Sequence, residues 1–379
     1  MKVGQNQWTH TEGWETKLDY ALGEAADVAF LFGSSPILAG QQWLPSVRAM
    51  YPTAHLFGCS TAGEIHGVQV SDDCLVVTAV HFDSTRVRGA QVTVNDTTDS
   101  FAAGKNLAQA LDHEGLVHVL VLSDGLTVNG SELVRGLTGH LPGHVTVTGG
   151  LSGDGERFAE TYVLWDGEPR RNTVAVMGLY GDRLKVGFGS LGGWDSFGPE
   201  RLITRSAGNV LYELDGRSAL ELYKKYLGEH AQNLPAAGLL FPLSLRTQEG
   251  ETPVVRTILS VDEQKQSLTF AGDIPEGAYA RLMKANFDRL IDGAAGAALT
   301  SYEAMDSSSH DLALLISCVG RKMILKQRVE EEVEGVRDVL GERTVLTGFY
   351  SYGEISPFMP GAKCELHNQT MTITTLSER

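Results

Sequence analysis

One loop limits how this chain can fold, because it occurs more than once. Gly58-Cys59-Ser60-Thr61-Ala62-Gly63-Glu64-Ile65 and Gly348-Phe349-Tyr350-Ser351-Tyr352-Gly353-Glu354-Ile355 both read G-x-x-x-x-G-E-I. A looser copy, Gly149-Gly150-Leu151-Ser152-Gly153-Asp154, is one residue shorter and carries Asp where the others carry Glu. Self-similarity of this kind points to a fold assembled from like units.

The sequence before each loop repeats too. An apolar strand comes first: Val28 to Phe32, Val117 to Leu122, and Leu312 to Ser317. A helical stretch follows. Leu44, Val47 and Met50 share one face, as do Leu133, Val134, Leu137 and Leu141, and Val329, Val333, Val336 and Leu340. A second apolar stretch then leads into the glycines. Strand, helix, strand and glycine turn make a βαβ-like unit, which favours parallel strand pairs. The expected fold class is α/β: mixed sheets built from repeated strand–helix–strand–glycine-loop units, in two intertwined or packed domains.

Trp14, Leu18, Ala21, Leu22 and Ala25 predict an N-terminal amphipathic helix, so residues 1–27 read as a helical lead-in. Asp99 reads as the N-cap of a helix carrying Phe101, Leu107 and Leu111. Ala278 to Ile291 reads as a helix and Thr370 to Leu376 as the last strand. Glycines cluster between residues 190 and 215, where a domain boundary is expected. Glu330-Glu331-Glu332 reads as a solvated helix face.

Lys plus Arg is 31 and Asp plus Glu is 47, a formal charge of −16 in 379 residues. Such an acidic chain repels phosphate backbones and anionic bilayers, so neither nucleic acid nor membrane is an expected partner. No apolar run approaches the ~18 residues of a membrane helix, and no secretion signal opens the sequence. Cys59, Cys74, Cys318 and Cys364 form no C-x-x-C pair. A reduced, cytoplasmic protein is the expectation.

The loops are not nucleotide loops. The glycine spacing fits a P-loop, but Glu64 and Ile65 stand where Lys and Ser/Thr are needed. Gly187-Phe188-Gly189-Ser190-Leu191-Gly192 matches G-x-G-x-x-G but leads into Gly193-Trp194-Asp195 rather than a helix. His140 and His144 have Pro142 between them, so no metal site is expected there. Turns at the ends of parallel strands can instead present hydroxyls and carboxylates to a crevice. Cys59, Ser60, Thr61, Ser152, Tyr350 and Ser351 would supply neutral contacts, and Glu64, Asp154 and Glu354 acidic ones. That mix suits a small polar ligand with an amine or hydroxyl. Equally, the acids could brace the turns through backbone N–H groups. His367 and Asn368, in the polar run Cys364-Glu365-Leu366-His367-Asn368-Gln369, are further ligand candidates.

Five stretches, in order, resemble the FIST proteins, a sensory family of bacterial signalling. They are Phe57 to Ile65; Gly149 to Gly155 with Arg157-Phe158; Glu213-Leu214-Asp215-Gly216 with Ala219 to Tyr223; Gly348 to Ile355; and Cys364 to Thr372. The resemblance covers nearly the whole chain. It implies an N-terminal FIST region over residues 28–205 and a C-terminal one over 206–379, with no output domain in the sequence. It further implies binding of a small ligand, for which amino acids have been suggested, and action in trans on a separate signalling protein. In one subset the ligand is nitric oxide, held on haem, and the partner is a histidine kinase, as in two-component systems, or a cyclic-di-GMP enzyme. Haem would need an axial side chain in an apolar pocket, and His367 and His66 are the candidates. The reading is a sensor rather than an enzyme. The alternatives are a haem-free amino-acid sensor, or an enzyme with Cys59, Ser60 or Thr61 as nucleophile and Glu64 or His367 as base.

Overall fold

The computed structural model describes residues 1–15, 22–96, 99–234, 236–247, 253–305 and 310–378. Each repeat forms the expected parallel pair. Val28–Gly33 runs beside His55–Ser60, Leu116–Ser123 beside Thr146–Leu151, and Leu312–Cys318 beside Val345–Ser351. Helices including Leu44–Met50, Gly130–Thr138 and Val329–Leu340 supply the crossovers. On the other side of each pair lies an antiparallel strand: Cys74–His81, Thr173–Tyr180 or Met371–Glu378. A further antiparallel strand pairs with that one: Lys2–Thr9, Arg86–Thr93 or Leu184–Leu191.

The strand after each glycine loop leaves its own sheet. Glu64–His66 pairs with Val345–Ser351, Gly353–Pro357 with Thr146–Leu151, and Val163–Trp165 with His55–Ser60. The exchange is cyclic, and it links three six-stranded sheets. Phe30, Phe32, Phe57, Leu120, Leu122, Leu314, Ile316 and Phe349 fill the shared centre. Helices cover the outer faces, so the parallel strands are buried on both sides. That accounts for their near-continuous apolar sequence.

The third repeat carries an insertion. The strands from Asp195–Ala207 to Tyr279–Lys284, between Leu184–Leu191 and the helix Phe287–Glu303, form a separate eight-stranded sheet. It packs its own core around Ile203, Leu211, Tyr223, Leu268 and Phe270.

Several expectations need correction. Lys2–Thr9 is a strand, and Gly13–Trp14 pairs with it. The lead-in is thus not helical there, because the segment completes the first sheet beside Cys74–His81. Leu18 and Ala21 of the expected helix lie outside the described residues. Tyr279–Lys284 is a strand, with Ala280 and Leu282 buried between exposed Tyr279 and Arg281; the helix begins only at Phe287, capped by Asn286. The period there is two, and the apolar residues around it masked the change. The expected border near residue 205 falls inside the strand Asp195–Ala207, and Leu184–Leu191 completes its sheet with the C-terminal Met371–Glu378. Glu332 is not solvated: it is fully buried.

Candidate functional site

The first glycine of each loop has a backbone reason. Gly58, Gly149 and Gly348 sit opposite Leu31, Val121 and Leu315 on the parallel neighbour. A Cβ on each would stand 2.1, 1.9 and 1.8 Å from that residue's carbonyl oxygen. Close strand approach, not phosphate binding, fixes these glycines.

The loops do not share one cavity. A cavity of about 500 Å³ opens where the first loop (Thr61, Gly63, Glu64) meets the second (Gly155, Glu156, Arg157). The helix Val319–Leu325, which follows the third repeat's first strand, closes it with Lys322. The cavity lies beyond the carboxyl ends of His55–Ser60 and Leu312–Cys318, the usual place for a ligand in α/β folds. The Lys322 Nζ donates to Ala62 O at 3.0 Å, pairs with Asp72, and stands 5.6 Å from the Tyr350 ring centroid. Asp73 and Lys326 complete a rim of mixed charge.

Glu64 is the buried acid of this cavity. Thr61 Oγ1 donates to its Oε1, and Cys74 Sγ lies 3.2 Å from Oε2. Burial pushes its carboxyl up to about 8. Glu354, its repeat counterpart, accepts from Ser351 Oγ at 2.5 Å and Thr370 Oγ1 at 3.0 Å, and burial likewise pushes it to about 8. Both carboxyls hold protons more tightly folded than unfolded. The stability they contribute is present below about pH 4.5 and lost as pH rises to about 8. Denaturant unfolding from pH 5 to 8.5 should show this decline, and Glu64→Gln with Glu354→Gln should flatten it. An unchanged slope in the double variant would refute the assignment.

Asp154, the third counterpart, differs. Burial pushes its carboxyl up, but hydrogen bonds from Arg157 and from the Glu160 and Ala159 backbone outweigh this and hold it low. It braces the second loop and places Arg157 on the cavity rim.

The remaining candidates do not line this cavity. Cys59 points into the shared apolar centre, where burial drives its thiol well up. Ser60 Oγ donates to Gly153 O at 2.8 Å, and Ser152 Oγ to Ser123 O at 2.9 Å. Tyr350 Oη donates to Glu332 Oε1 at 2.6 Å. His367 Nε2 lies 2.7 Å from Ser356 O, its ring packs on Phe358, and burial lowers it to about 4. Asn368 is buried, with neither side-chain polar atom partnered among the described residues. His66 Nδ1 lies 3.0 Å from Gln7 Oε1, and burial lowers its pKa.

A haem axial ligand must open onto an apolar pocket. Neither histidine lines this cavity, and the cavity wall is charged. His367 Nδ1 is buried with no partner among the described residues. Among the described residues no cluster of three or more His, Cys, Asp or Glu could hold a metal ion, and no helix is long and apolar enough to cross a membrane.

Lys322 and Asp72 escaped the sequence reading. The signal available was Arg321-Lys322, a basic pair just past the end of a parallel strand in an acidic chain.

An uncharacterised protein of Methanocaldococcus jannaschii is 23% identical over 341 residues, 83% of this chain. The chain spans 63% of that relative's length. A crystal structure of a cyanuric acid hydrolase from A. caulinodans aligns with 78% of this chain and all of its own at 11% identity. The TM-score of that alignment is 0.19. Family models decide the matter: the FIST N domain matches residues 27–217 and the FIST C domain residues 219–357, so the chain belongs to the FIST family, whose domains serve as sensors in signal transduction.

Proposed function

We propose that the chain is a sensor of a small amine-bearing ligand of amino-acid size, bound in the 500 Å³ cavity, and that it acts on a separate signalling protein such as a histidine kinase or a cyclic-di-GMP enzyme. The observation that carries this is the meeting of two repeat loops and Lys322 around a buried carboxyl. Lys322, Lys326 and Arg157 can receive a carboxylate; Glu64, Asp72 and Asp73 can receive an ammonium. Because the cavity wall joins separate repeats, a ligand there favours one arrangement by its differential affinity.

Calorimetry against the amino acids and simple amines tests this. One class should bind saturably, and Lys322→Met should weaken it about tenfold, the value of one charge-assisted hydrogen bond. An ammonium ligand should bind more tightly as pH rises through 8 and Glu64 ionises. Glu64→Gln should remove that pH dependence. No saturable binding, or a sharp stoichiometric Soret band on haemin titration, would overturn the reading.

A second reading rests on the Thr61–Glu64 contact, a hydroxyl against an acid poised near neutrality, the geometry of a nucleophile and base. Selective labelling of Thr61 by hydroxyl-reactive probes would favour it.

A further inference from the structure

A second cavity, of about 270 Å³, lies between the inserted unit and the three-sheet core. Its lining contrasts with the first: no charged side chain contributes among the described residues. Phe158 of the second loop and Tyr352 of the third stack there at 4.4 Å, with ring planes 14° apart. Leu126 and Leu259 stand at its mouth, 39% and 46% exposed. The volume falls just under the ~300–1,000 Å³ of drug-sized sites, which suits a single ring.

Buried polar groups without partners border this apolar space. Thr257, on the inserted unit, lines the cavity, is 5% exposed, and its Oγ1 has no partner among the described residues. Gln369 is fully buried with neither amide atom partnered. A Cβ built on Gly320, another wall residue, would lie 2.5 Å from Gln369 Nε2, so the amide sits directly behind that wall. Such groups are rare in native proteins and call for an explanation.

The place matters as much as the lining. The inserted unit meets the core here through Arg256 Nη1 donating to Leu366 O at 2.9 Å and Asn129 Nδ2 to Asp273 Oδ1 at 3.1 Å. Trp194 Nε1 donates to Gln369 O at 2.8 Å.

We propose that this cavity is a second binding site, for a neutral single-ring aromatic compound bearing one hydroxyl or N–H group. The ring packs beside Phe158 and Tyr352, and its polar group hydrogen-bonds Thr257. The two sites share only Val319, so the proposal goes beyond the charged cavity and does not depend on it. A ring held here ties the inserted unit to the core.

The probes are p-cresol, indole and toluene, titrated into the full chain by calorimetry and saturation-transfer NMR. We expect saturable one-to-one binding of p-cresol or indole. Thr257→Val should weaken p-cresol about three- to tenfold, the value of one net hydrogen bond, and leave toluene unchanged. Leu126→Trp, at an exposed position, should block all three. Loss of binding in Leu126→Trp with no change in Thr257→Val would keep the site and overturn the role of the hydroxyl. No saturable binding at millimolar concentration, or binding unchanged in both variants, would overturn the proposal. Amino-acid binding in the charged cavity should persist in both variants.

Discussion

Alanine at Gly58, Gly149 or Gly348 should destabilise the fold more than almost any other single methyl. Each new methyl would lie about 2 Å from a backbone carbonyl of the parallel neighbour, and neither strand can move without breaking its own ladder. Ordinary overpacking costs about 1–3 kcal/mol because side chains yield; here only backbone faces the methyl, so we expect about 4 kcal/mol or more. At about 1.3 °C per kcal/mol for a chain of 379 residues, that is a fall of about 5 °C or more in Tm. The Gly143→Ala control, where nothing lies within 4 Å, should stay within about 0.5 kcal/mol of wild type. Calorimetry of the four variants decides the matter. Equal melting in all four would disprove the backbone explanation for the repeated glycine.

The second large effect is expected at Arg321 and Glu332, both 0% exposed. Arg321 Nε and Nη2 donate to Glu332 Oε2 at 2.9 and 2.7 Å. Arg321 also donates to Gly192 O and Leu290 O, while Glu332 accepts from Tyr350 and from Ser317 Oγ at 3.1 Å. The pair thus bolts three helices to the third loop and to the entry of the insertion. Arg321→Met strands a buried carboxylate and should cost about 3–5 kcal/mol. Adding Glu332→Leu removes the stranded charge and should recover part of that loss. A double variant less stable than Arg321→Met, by denaturant titration, would show that the hydrogen bonds outweigh the buried charge.

The repeat was legible because parallel strands buried on both faces, and the helices between them, leave strong apolar periods. Val28–Gly33, Leu116–Ser123 and Leu312–Cys318 stand within a residue of where the pattern puts them. The strand exchange was not legible. Backbone hydrogen bonds carry no side-chain code, so nothing in Glu64-Ile65-His66 names Thr347-Gly348-Phe349 as its partner. Of the site, Thr61, Glu64 and Arg157 were within reach because they belong to the loops, whereas Lys322 arrives from another repeat. Glu332 misled for a related reason. On a helix rich in acids only its distant partner, Arg321, distinguishes it from its solvated neighbours.

The cyclic exchange also orders events during synthesis. The first sheet draws only on residues 2–165 and can close while the rest of the chain is still unmade. The second holds four of its strands within residues 86–180 but lacks its edge until Gly353–Pro357 and Cys364–His367 emerge. In the third, Glu64–His66 and Leu184–Leu191 must wait for Leu312–Cys318, Val345–Ser351 and Met371–Glu378. A nascent chain therefore carries open sheet edges until Met371–Glu378 is made, and a chain stopped before Gly353–Pro357 leaves two of the three sheets exposed to aggregation.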